Sequence, residues 1–141
     1  MMINIRNNFF QAPKTITAFI ILCFSISFAQ GVFITEIADP ANEATAGRFV
    51  ELYNNSSADV DLSANGWALQ RWTNANESPT TSQNISLSGV IPANGFYIVG
   101  RSGFEGLYGF APNQISSNGP VDSNGDDKIA LVDGSGNILD I

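Results

Sequence analysis

The stretch Phe49-Val50-Glu51-Leu52-Tyr53-Asn54-Asn55-Ser56-Ser57, with Asp61-Leu62-Ser63-Ala64-Asn65-Gly66-Trp67-Ala68-Leu69-Gln70-Arg71-Trp72 after it, decides the fold. In Arg48 to Asn54 (RFVELYN), Val50 and Leu52 fall on one face and Phe49, Glu51 and Tyr53 on the other, the period of a strand. The aliphatic pair marks the core face. Asn54 to Ser57 bond their own backbone readily and tolerate turn conformations, and Asn65-Gly66 repeats that chemistry. Between these turns Val60 and Leu62 offer a short apolar anchor. Trp67 to Trp72 (WALQRW) then sets Trp67, Leu69 and Arg71 on one face and Ala68, Gln70 and Trp72 on the other. At about 25 cal/mol per Å² of apolar area, Trp67 with Leu69 buries more than Ala68 with one ring. Trp67 is therefore expected in the core, and Trp72 as a partly exposed aromatic.

Working outward, Val32 to Ala38 (VFITEIA) is β-branched and aromatic, and ends at Asp39-Pro40, where proline denies the ladder a donor. Ile85 to Leu87, Phe96 to Val99, Lys128 to Asp133 and Ile138 to Ile141 bring the strand count to seven. Pro92-Ala93-Asn94-Gly95 is a turn, and Asp133-Gly134-Ser135-Gly136-Asn137 is expected to join its flanking strands as a hairpin. Thr73 to Gln83, polar and containing Pro79, reads as a loop. No stretch shows a sustained helical period. Short strands and close turns predict an all-β chain in two layers, since a parallel sheet needs helical crossovers.

With 141 residues, 44% hydrophobic and 13% charged, the chain holds one globular domain. Residues 1–29 read as a signal peptide: Arg6 and Lys14 make a positive start, Thr15 to Phe28 an apolar stretch, and Ser27-Phe28-Ala29 predicts cleavage after Ala29. About 14 residues fall short of the roughly 20 that span a bilayer. Cys23 follows bulky Leu22, which argues against a lipid-attachment site. The mature chain, 30–141, keeps four basic side chains against 13 acidic ones, a net charge of −9. That charge opposes unaided docking to phosphate backbones or anionic membranes. The chain has no histidine and the mature part no cysteine, so most common catalytic and zinc-binding arrangements lack their components.

The segments VFITEIADP (Val32 to Pro40), FVELYNNSSADVDLSANGWALQRW (Phe49 to Trp72), ISLSGVIPANGFYIV (Ile85 to Val99) and NGDDKIALVDGSGNILD (Asn124 to Asp140) together resemble the lamin tail domain of the type found in secreted bacterial proteins. The resemblance implies an immunoglobulin-like β-sandwich of about seven strands, and places Trp67 at the family's buried tryptophan. It also implies a non-catalytic attachment or interaction unit, with a protein or cell-surface polymer as partner and no cofactor; the fold alone names no ligand. The alternative is the non-catalytic N-terminal domain of a larger extracellular hydrolase, a nuclease or phosphoesterase. The last run, ILDI, ends before the family's pattern does, so either the last strand is unusually short or, the favoured expectation, the chain is a fragment of a longer secreted protein. Export is expected, to the periplasm or beyond.

Asp122-Ser123-Asn124-Gly125-Asp126-Asp127 alternates oxygen donors as the start of a calcium loop does, with Asp133 at the twelfth position. Asp127 stands where such a loop needs glycine, and Lys128 begins a strand, so the segment reads as a turn and not as a metal site. Glu36 and Glu51 are a nominal carboxylate pair of the sort glycoside hydrolysis uses, but alternation explains Glu51 as solvent-facing, and Glu36 is expected to bond a neighbouring strand or Arg48. No catalytic residue is assigned. Tyr53, Trp72, Phe96, Tyr97 and Tyr108 are candidates for an exposed aromatic surface, most of them expected to be structural, with Trp72 foremost for binding. The long segment Gly100 to Gly119, carrying Phe104, Tyr108, Gly109 and Phe110, is either a recognition loop or a packed connection over the sandwich edge.

Overall fold

A computed structural model describes residues 31–141; the signal-peptide reading of residues 1–29, with Cys23, lies outside the described residues. Ten strands run in chain order: β1 (Val32–Ala38), β2 (Phe49–Asn54), β3 (Val60–Asp61), β4 (Ala68–Trp72), β5 (Ile85–Ser86), β6 (Val90–Ile91), β7 (Phe96–Gly100), β8 (Gln114–Ile115), β9 (Lys128–Val132) and β10 (Ile138–Asp140). One turn of helix, α1 (Phe104–Tyr108), sits between β7 and β8. The seven expected strands are all present, and the three additional ones, β3, β6 and β8, are two residues each.

Two four-stranded sheets face each other, in the orders β1-β2-β7-β8 and β10-β9-β4-β5, and β3 pairs β6 as a small ribbon. Alternation builds the first sheet. Val50, Leu52 and Asn54 of β2 and Tyr97 and Val99 of β7 point inward and are buried, while their neighbours in sequence point out. From the second sheet Leu69, Ile129 and Leu131 meet them, and Leu62, Ile85, Leu87, Ile91 and Val121 close the ends of one continuous core. All pairs but one are antiparallel; β7 and β8 run parallel, with α1 as their crossover. Parallel pairing is possible at this edge because 13 residues from Arg101 to Asn113 give enough chain to cross.

The expected hairpin joins β9 to β10. Its turn is held by Asp133, whose Oδ1 accepts from the N–H groups of Ser135 and Asn137 at 2.8 and 2.9 Å. Hydrogen bonding by Asn137 is the main reason the Asp133 carboxyl titrates below its ordinary value. On the other side, a register shift between Ile34 and Glu36 bends β1, and the Ile34 N–H donates to Asp140 at 2.7 Å, tying the edge strand of one sheet to that of the other.

Tryptophan placement corrects the sequence reading. Trp72 is buried, 8% exposed, against Ala68, Ala130 and Val132 on the outer face of the second sheet. Trp67 precedes β4 and is only partly buried, packing on the margin of the main core. The assigned faces hold, since Leu69 is inward and Trp72 outward. What fails is the assumption that outward means exposed: the indole packs against small Ala130 and Val132, and the loop after β4 returns to the strand, Thr80 N–H donating to the Arg71 carbonyl at 2.9 Å.

Candidate functional site

Three aromatic side chains form a row across the outer face of the first sheet. Phe33 of β1 and Phe96 of β7 are both register partners of Tyr53 on β2. Odd positions of β1 before its bend, and Tyr53 and Phe96 by alternation, all point away from the core. The ring centroids of Phe33 and Tyr53 are 5.8 Å apart, edge to face, and those of Tyr53 and Phe96 are 4.7 Å apart. Phe96 is 54% exposed. Cross-strand stacking holds the rings in place, so a partner meets apolar area already ordered. Phe33 was missed as a candidate, although its position between inward-facing Val32 and Ile34 marks it.

A second aromatic group covers the far end of the same face. The ring of Phe104, from α1, lies over Gly100, where an added Cβ would stand 2.8 Å from it. Phe49, Tyr108 and Phe110 pack around Phe104 with centroids 5.6, 4.5 and 5.3 Å from it. Tyr108 donates its hydroxyl to the Gly47 carbonyl at 2.9 Å, and Leu107 and Phe110 remain exposed. The segment 100–119 is thus a packed connection, with a helical turn, that presents apolar side chains outward. Tyr97 is a core residue: its hydroxyl donates to the Ser88 carbonyl at 2.5 Å, and burial raises its pKa against the opposing effect of that bond. Of the five aromatic candidates, Tyr53 and Phe96 come together, Tyr108 belongs to the second group, and Tyr97 and Trp72 are buried elsewhere.

The acidic turn has a different use. Asp122 accepts from Arg48 Nη1 at 3.0 Å and from Arg101 Nη1, while Asp127 accepts from Arg71 Nη1 at 3.2 Å, from Ser123 Oγ at 3.1 Å and from the Asn74 N–H at 2.8 Å. Arg48 also donates to Asp39 at 2.7 Å, the largest cause of its raised pKa. Carboxylates committed to guanidinium groups are poor donors for a cation, which must displace those charges first. The Arg71 head lies over Gly119, where a Cβ would stand 2.7 Å from Nε, and that Nε is buried with no hydrogen-bond partner among the described residues. Glu36 and Glu51 are register partners at the sheet surface; Glu51 Oε1 accepts from Thr35 Oγ1 at 2.7 Å. Of the two partners expected for Glu36, a neighbouring strand or Arg48, the arginine is taken by Asp39 and Asp122.

The Lamin Tail Domain family model matches residues 27–141, which takes in both sheets and both aromatic groups. The chain belongs to the lamin tail domain family. No curated protein matches the sequence. Membership agrees with the two-sheet architecture, and the lamin tail domain is an immunoglobulin-like, non-enzymatic module. In this lamin tail domain the tryptophan expected at the centre, Trp67, sits at the core margin, and Trp72 is the more buried of the two.

Proposed function

We propose that this lamin tail domain is a secreted, non-catalytic binding or attachment module that engages a protein or a cell-surface polymer through the Phe33, Tyr53 and Phe96 face. The row of three contacting rings on the sheet's outer face, Phe33 and Tyr53 half-buried and Phe96 exposed, is the observation that carries this reading. The charge balance favours such a partner over nucleic acid: Arg48, Arg71 and Arg101 are each held by aspartate, so they add no free positive surface. Export rests on the apolar leader at residues 15–28.

The test compares the mature protein with a Tyr53→Ala/Phe96→Ala variant for retention on isolated cell-surface material. Retention should fall in the variant while its circular dichroism spectrum stays that of the parent. Equal retention by the two proteins would remove the aromatic face from the proposal.

A further inference from the structure

Four Asn-Gly pairs occur in the described chain: Asn65-Gly66, Asn94-Gly95, Asn118-Gly119 and Asn124-Gly125. Each has the residue types for intramolecular deamidation, because glycine offers no side chain to hinder its own amide nitrogen. In that reaction the Gly nitrogen, having lost its proton to base, bonds to the Asn Cγ, and the Cγ–Nδ2 bond breaks. Nδ2 leaves as ammonia, and water opens the succinimide ring at either carbonyl to give aspartate or isoaspartate. Anything that holds the Gly N–H proton or fixes the Asn amide slows the attack.

The fold restrains three of the pairs. Gly66 N–H donates to the Ser63 carbonyl at 3.0 Å, and Asn65 Nδ2 to the Asp61 carbonyl at 2.8 Å. Gly95 N–H donates to the Pro92 carbonyl at 2.9 Å. Asn118 Nδ2 donates to the Asn84 carbonyl at 3.2 Å, and Gly119 is buried beneath Arg71 and Gln83. Asn124 and Gly125 are both exposed, and among the described residues no hydrogen bond engages the Asn124 side chain or the Gly125 N–H. We infer that Asn124 is a site of spontaneous modification, converting to aspartate or isoaspartate ahead of the other three. The conversion adds a negative charge between Asp122 and Asp127, in the turn that Arg48, Arg71 and Arg101 hold, and the isoaspartate product lengthens the backbone just before β9.

The purified full-length mature protein is incubated at mildly alkaline pH, with peptide mapping of all four pairs over time. Asn124 should convert first, its rate should rise with pH, and Asn124→Gln should abolish the first phase. In chain unfolded by urea the four rates should draw together. Earlier conversion of Asn65, Asn94 or Asn118 in the folded protein would overturn the inference, as would the same ranking in the unfolded chain, since the fold would then not be what protects the others.

Discussion

The Asn54 side chain is fully buried at the end of β2, where Nδ2 reaches the carbonyls of Ala58, Ile91 and Pro92 at 2.8, 3.3 and 3.0 Å. Its Oδ1 accepts from the N–H and hydroxyl of Ser56, so one amide joins β2, the following turn and β6. Asn54→Asp would turn an ionised carboxylate toward three carbonyl oxygens. The cost should be on the order of 3–5 kcal/mol, that of an uncompensated buried charge, and should shrink as pH falls and the carboxyl regains a proton to donate. Urea denaturation at two pH values measures both effects. Tyr97 gives a dependence of the same sign at higher pH. Its folded-state pKa lies above the ordinary 10.0, chiefly through burial, so its contribution to stability is complete below that value and is lost as pH rises through the folded one. Absorbance titration should show one tyrosine ionising above the ordinary range, and Tyr97→Phe should remove that step together with its share of the alkaline loss.

At the scale of the strand, β4 makes the consequence of burial measurable. Trp72→Ala opens a cavity against Ala130 and Val132 and should cost about 3–5 kcal/mol, with Trp67→Ala costing less because that ring already borders solvent. Chemical denaturation of both variants compares them; the reverse order would mean that the packing on the outer face contributes little. The same strand shows what the sequence can and cannot tell. Alternation assigned the faces of β2 and β4 correctly, because a strand has only two. It carries no information on what covers the outer one, and so Trp72 was misjudged. The two-residue strands β3, β6 and β8 have too little length for a period, and α1 is a single turn between Gly103 and Gly109, shorter than any apolar repeat. Tyr53 and Phe96 were legible as candidates, whereas their alignment with Phe33 depends on register across three strands, which no local pattern specifies.

Across the molecule, the turn from Gly119 to Asp127 fastens one sheet to the other. Arg48 adjoins β2 and Arg101 follows β7, both from the first sheet, while Arg71 belongs to β4 of the second. The Asp122 carbonyl accepts from Arg48 and Arg71 alike, at 3.1 and 3.4 Å. The two carboxylates of this clamp differ in surroundings. Asp127 is 1% exposed and its partner Arg71 14%, whereas Asp122 is 46% exposed. Water screens the Asp122 pairs, and their loss should cost only about 1–3 kcal/mol, near the range for hydrogen bonds to charged groups. Removing Asp127 leaves Arg71 charged and largely enclosed, with the Ser123 hydroxyl and the Asn74 N–H deprived of their acceptor, for which about 3–5 kcal/mol is expected. Asp127→Ala should therefore lower the unfolding midpoint further than Asp122→Ala, and added salt should narrow the Asp122 effect while leaving the Asp127 effect nearly unchanged. Thermal unfolding of the two variants at low and high salt decides between this clamp and an ornamental surface cluster, for which both losses would be small and would fade with salt together.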